Sequence, residues 1–252
     1  MPCLFLTPAY GILVTMSDDI QILKEIENAA LLCEKDYTRD DIFCVLRFDS
    51  VSNPEIDIEK QICILKLDTI LTQEEADLLA FHQTGQHGLI REACSQKINE
   101  FMKNPLCLKF FQTKEISLIL LKAVNDINPN ICRTIIEVLP FIEDKDYFLH
   151  NLYERFEEVF EELEKLKRSN WYTKKLFNLY WCLEALAVLQ APVNERLEAV
   201  LERCSRFRDY TIREKTAMVI SLLQQSSPVI ESIKEILKND ENFYVKRYFS
   251  QW

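Results

Sequence analysis

The sequence predicts an all-α protein, a single-domain α-solenoid of stacked antiparallel helix pairs, and three observations carry that expectation. Apolar residues recur at three- and four-residue intervals along most of the chain, the period of an amphipathic helix. A phrase of apolar residue, basic residue and short helix returns in LIREACSQKI, NICRTIIEVL, TIREKTAMVI and FYVKRYFSQW. The basic positions Arg91, Arg133, Lys175, Arg213 and Lys246 lie 42, 42, 38 and 33 residues apart. Spacing of this size marks a repeat architecture, in which a helix pair buries its apolar face only by stacking on its neighbours. The chain also holds only three Gly and eight Pro, too few for the turns of an all-β sandwich.

The elements follow in order. Ile22, Ile26, Ala29, Ala30 and Cys33 give a first helix over residues 18–34, and a shorter periodic stretch follows over 41–48. The SVSNP loop breaks the chain, because the residue before Pro54 disfavours helix, and 55–67 resumes it. Thr72 with Glu75 three residues on is a capping box for a helix through Leu79, and HQTGQHG is the clearest loop. Residues 91–102, 116–124 and 131–141 are the next helices, with turns at Asn104-Pro105 and Asn128-Pro129. The longest runs over 144–167, with Phe148, Leu152, Phe156, Val159, Phe160, Leu163 and Leu166 as its stripe and six glutamates from Glu154 to Glu164 on the solvated face. Residues 171–190, 193–204, 210–224, 228–238 and 243–252 complete the set.

Composition bounds the function. With 48% hydrophobic and 28% charged residues the chain has the balance of a folded soluble protein. A net charge of −10 argues against nucleic acid, whose affinity rests on clustered Lys and Arg. Nine cysteines are odd in number and scattered without a CxxC pair, which fits buried free thiols in a reducing cytoplasm. The apolar residues 1–15 lack a basic n-region and are too short for a bilayer span. Met16 precedes the N-cap Ser17-Asp18-Asp19, so residues 1–15 read as a non-structural extension, with the helical domain over 16–252.

NDENFYVKRY and DYTIREKTAMVISLL resemble the second helix of HEAT repeats, in which a turn Asp precedes a Val-Arg or Val-Lys pair. Asp240 lies six residues before Lys246, Asp126 one residue further from Arg133, and Asp209 two residues closer to Arg213. The resemblance covers about residues 55 to 252 and implies polar ladders between repeats and a concave face that binds another protein. It also offers a rival, since some HEAT-like proteins are DNA alkylation-repair glycosylases that hold a damaged base with tryptophans, an Asp and an Arg. The catalytic motif of that family has no residue-by-residue match here.

The candidate partner-binding residues are Trp171, Tyr172 and Trp181 as aromatic anchors, with Arg133, Lys175 and Arg213 for charge complementarity. Glu184, set among apolar residues of WYTKKLFNLYWCLEAL, is expected to meet Arg213 or a backbone donor. No catalytic residue, cofactor or metal is assigned. His82, His87 and Cys94 lack the spacing of a zinc site, and no glycine-rich phosphate loop occurs. Phe249 and Trp252 near the C-terminus are expected either to fold back or to be covered by another chain, a homodimer through the last helix or a docked partner.

Overall fold

The computed structural model describes residues 28–48, 54–166 and 170–249, and among them every regular element is helical. The chain divides into two compact units at Lys66. Met16, residues 1–15, most of the first expected helix and Trp252 lie outside the described residues.

In the first unit residues 28–34 are helical, followed by α1 (Arg39–Arg47) and α2 (Pro54–Lys66), which pack on one another. Thr38 opens α1 with a reciprocal capping box: its hydroxyl accepts the Asp41 N–H at 3.2 Å and its own N–H donates to the Asp41 carboxylate at 2.9 Å. Those hydrogen bonds hold the Asp41 carboxyl below the usual range. Helix α1 begins at Arg39, two residues before the expected start, because Thr38 finds its capping-box partner in Asp41. At the other end Lys66 closes the unit, its ammonium donating to the carbonyls of Cys33 and Lys35, each at 2.8 Å.

The second unit begins with α3 (Gln73–Gln83) and α4 (Gly88–Met102), then α5 (Pro105–Leu108), α6 (Lys114–Val124) and α7 (Pro129–Ile136). The long α8 (Lys145–Lys165) and α9 (Asn170–Leu189) follow, then α10 (Glu195–Ser205), α11 (Tyr210–Leu222), α12 (Pro228–Lys238) and α13 (Phe243–Lys246). Their contacts form two series. The first members of successive pairs meet in the order α3, α6, α8, α10, α12, and the second members in the order α4, α7, α9, α11, α13. Within each pair the two helices also touch, so each pair is buried by itself and its immediate neighbours.

Local chemistry accounts for the boundaries. The Thr72–Glu75 box forms as expected, and Thr113, Asp144, Asn194 and Ser227 each accept a backbone N–H three residues on. Asn104-Pro105 and Asn128-Pro129, expected as turns, open helices: Asn caps and Pro sits in the first helical position, where its missing N–H costs nothing. The helix expected over 131–141 stops at Ile136 and resumes as a 3₁₀ turn, Leu139–Phe141. Pro140 cannot donate to the Ile136 carbonyl and its ring would clash there. The last helix ends at Lys246, six residues short of the expected end, and a turn follows.

The core takes the expected stripe except Leu166, which caps α8 after Lys165 and stays half-buried. Phe148, Leu152, Phe156, Val159, Phe160 and Leu163 of α8 are buried, and α8 packs against α9, whose Leu179, Cys182, Leu183 and Leu186 are also buried, and against α6 and α10. Glu162, expected on the solvated face, is half-buried and turns toward Lys175. Cys63, Cys94, Cys107, Cys132, Cys182 and Cys204 are buried, whereas Cys33 and Cys44 are exposed. Burial pushes the thiols of Cys63, Cys132 and Cys182 up to about 12 and raises those of Cys94 and Cys204 as well. In the native protein a maleimide should therefore modify Cys33 and Cys44 within minutes and leave the six buried thiols untouched until denaturant is added. Peptide mapping of the modified sites by mass spectrometry checks this.

Candidate functional site

The basic residues that recur along the sequence divide into two structural groups. Arg91 and Arg213 each occupy the fourth position of a second helix, α4 and α11. Each clamps an aspartate in the turn of the next pair: Arg91 Nε and Nη2 donate to Asp126 at 2.7 and 3.2 Å, and Arg213 donates to Asp240 at 2.6 and 3.1 Å. The remaining Nη1 reaches back to two carbonyls of the preceding loop, Gly85 and Gln86 in one case, Phe207 and Arg208 in the other. Each aspartate also accepts the N–H of the asparagine that caps the following helix, Asn128 or Asn242. The planar guanidinium fork suits this four-bond task in a way that an ammonium does not.

Arg213 is thereby a joint between helix pairs, with its side chain 13% exposed and that of Asp240 7%. Burial alone would raise the Asp240 carboxyl; the Arg213 and Asn242 hydrogen bonds outweigh it and hold the group below its ordinary value. The aspartate partner comes from the following pair, so Arg213 bonds Asp240 of that pair rather than Asp209, which lies four residues before it in sequence. Arg133 falls outside the series. It occupies the fifth position of α7, where Cys132 fills the fourth, so its guanidinium points away from the joint and bonds Asn130 of its own helix at 3.4 Å. The Cys132 thiol donates to the Asp126 carbonyl at 3.2 Å in that place. Lys175 meets Glu162 of α8 at 2.6 Å, inside its own helix pair.

Glu184 pairs with Lys215 of α11, not with Arg213 or a backbone donor. The Lys215 ammonium lies 4.5 Å from the centre of the Tyr180 ring, and Tyr180 meets Trp181 edge to face at 5.1 Å. Burial alone would lower the Lys215 pKa, but bonding to Glu184 and Tyr180 raises it above its ordinary value. A charged lysine therefore satisfies the buried-side carboxylate, and Glu184 has the role of a tie between α9 and α11.

Two clefts receive the remaining candidates. One, of about 350 Å³, is walled by the α6–α7 turn with Ile127 and Pro129, by Arg155 of α8, and by Lys174, Lys175, Phe177, Asn178 and Trp181 of α9. Its centre is apolar: Ile127 is 80% exposed and Phe177 58% exposed, unusual values for large hydrophobic side chains. The other, of about 740 Å³, is lined by Leu163, Tyr172, Arg208, Tyr210 and Arg213. Trp181 and Lys175 thus share one cleft, Tyr172 and Arg213 share another, and Arg133 lines neither. The backbone of Trp171 is helical, and its side chain lies outside the described residues. On α13, Phe243 and Tyr244 are about half exposed, with Tyr244 stacked on Tyr210 at 6.4 Å.

Ile127, Arg155 and Phe177 were missed by sequence reasoning. Phe177 and Trp181 stand one helical turn apart on α9, a spacing visible in the sequence. Ile127 gave a different signal, an isoleucine between two helix-stopping residues in DINP, where burial is hard to arrange. Among the described residues no group of three or more His, Cys, Asp and Glu side chains is placed to hold a metal, and no helix is long and apolar enough to cross a membrane. No protein-family model matches this sequence, and neither does any curated protein.

Proposed function

We propose that the chain is a cytoplasmic HEAT-like solenoid of antiparallel helix pairs that binds another protein and carries out no chemistry of its own. The observation that carries this reading is the cleft between the α6–α7 turn and α9, where Ile127 and Phe177 stay exposed beside the half-buried Trp181. Large apolar side chains held open by a packed framework are the usual anchors of a protein interface. The two series of helix contacts and the repeated Arg–Asp clamps support the repeat architecture. The free thiols support a reducing compartment.

The test is a pull-down from native lysate with the full chain as bait, run beside an Ile127→Ser, Phe177→Ser double variant that retains the parent's helical circular dichroism. The parent is expected to retain a protein that the variant recovers at least about tenfold less well, the effect of removing two interface anchors. If no protein is enriched and nucleic acid co-purifies in a salt-dependent manner, the interaction reading is overturned in favour of the DNA-repair enzyme. Glu184 would be a poor catalytic carboxylate in that case, since Lys215 already holds it.

A further inference from the structure

Besides the groove between Ile127 and Phe177, the second unit has the larger cleft of about 740 Å³, and that cleft carries charges that the fold leaves unused. Its walls include Tyr172 near the start of α9, the α10–α11 turn with Arg208 and Tyr210, and the α12–α13 turn with Glu241. The other ionic groups there are already engaged. Arg213 is held by Asp240, Glu164 receives Arg203 at 2.5 Å, and Asp209 caps α11 by accepting the Thr211 N–H at 2.9 Å. Among the described residues the side chains of Arg208 and Glu241 take part in no hydrogen bond or ion pair, and both residues are exposed. Glu241 acts on Arg213 only from a distance. Arg208 and Glu241 occupy the same place in successive pairs, each directly before the residue that caps a second helix, Asp209 or Asn242. Because α11 and α13 pack on one another, and packed helices lie about 8–10 Å apart, the two positions are separated by about that distance.

We infer that this cleft docks a proline-rich segment of another protein in the polyproline II conformation, with an acidic and a basic residue three positions apart, a proposal that rests on the interaction reading above. That conformation has three residues per turn and rises about 3.1 Å per residue, so side chains at i and i+3 share a face about 9 Å apart, the spacing of the two turns. Neither regular alternative fits as well. An α-helix brings i and i+3 to about 5–6 Å, and a strand turns them to opposite faces. The acid of the segment meets Arg208 and its base meets Glu241, while proline rings lie on Tyr172 and on Tyr210, whose residue is 42% exposed. A segment with charges of one sign would be attracted by one turn and repelled by the next, so the pair of signs fixes both identity and direction.

A random-peptide phage library panned against the full chain tests the inference, followed by affinity measurements on the enriched peptides. The expected result is a proline-containing consensus with Asp or Glu three residues from Lys or Arg, and affinity that falls as salt rises. Arg208→Glu and Glu241→Lys should each weaken the enriched peptides by about tenfold, and the double variant should bind peptides in which the two charges are exchanged. Both side chains are exposed, so each variant should keep the thermal midpoint of the parent, which separates lost docking from lost folding. Enriched peptides that lack the paired charges, or that bind both single variants as well as the parent, overturn the assignment of this cleft. A library that yields no binder overturns it too. In each of those cases the pull-down decides the broader interaction reading by itself, because its variant changes Ile127 and Phe177 and leaves this cleft intact.

Discussion

Replacing Arg213 by alanine is expected to destabilise the protein by about 3 kcal/mol, because it leaves the Asp240 carboxylate buried and without its partner. The loss exceeds that of an exposed ion pair for two further reasons. The same side chain satisfies the carbonyls of Phe207 and Arg208, and Asp240 in turn positions the Asn242 N–H that starts α13. Arg213→Lys should recover less than half of the deficit, since an ammonium cannot make the paired bond and reach both carbonyls. Urea titration measures each value. A double variant with Asp240→Asn is expected to be less destabilised than the two single changes combined, by about 1 kcal/mol or more.

The same joint has a pH signature. Asp240 titrates below the ordinary aspartate range in the folded protein, so its contribution is complete above the unfolded value of about 3.9 and is lost as pH falls through the lower folded value. Stability of the parent should therefore fall on acidification below about pH 4, and the Arg213→Ala variant should show a shallower fall. An Arg213→Ala protein within about 0.5 kcal/mol of the parent at neutral pH, with an unchanged acid limb, would show that the clamp is decorative.

Phe156→Ala is expected to cost about 3–5 kcal/mol, the range for emptying a fully enclosed aromatic site. Phe156 is wholly buried on α8, with its ring 6.2 Å from that of Phe160, so the surrounding helices must either collapse or keep a void. The comparison that gives the measurement its force is Phe177→Ala, the same chemical change at a ring that is 58% exposed. That variant should melt within about 0.5 kcal/mol of the parent. Thermal unfolding of the pair thus separates a phenylalanine that holds the fold from one available for binding, and equal costs would refute the assignment of Phe177 to the groove.

Much of the fold was legible because its determinants are local. The Thr72–Glu75 box, the Asp144 cap and the α8 stripe each lie within a few residues of one another, and each appears where expected. Helix ends set by proline were harder. Pro105 and Pro129 were taken for breaks when both open helices, and Pro140 was passed over although it ends α7 early. The site was less legible still, because it depends on which helix faces which. A period near 42 residues placed Arg133 with Arg91, but one residue of slip turns a side chain by about 100° around a helix, and the equivalent position in α7 belongs to Cys132. Glu162 reaches Lys175 on the other helix of its own pair, and Lys215 reaches Glu184 in the neighbouring pair, at distances in sequence that no local pattern reports.

The two clamps also set where the second unit yields to force. Arg91 fastens the α3–α4 pair to the α6–α7 pair, and Arg213 fastens α10–α11 to α12–α13, each like a rivet that resists sliding. At the joint between α6–α7 and α8–α9, Arg133 bonds within its own helix, and the ties across it include a 3.5 Å contact from Cys182 to Asn125 and the Lys114 ammonium over the Tyr147 ring. Bending stiffness then varies from one helix pair to the next, and among the described residues the joint between α6–α7 and α8–α9 has no Arg–Asp clamp. Ile127 and Phe177 stand on opposite sides of that joint, so whatever bridges them works as a splint, and its grip is read out mechanically as a stiffer set of helix pairs.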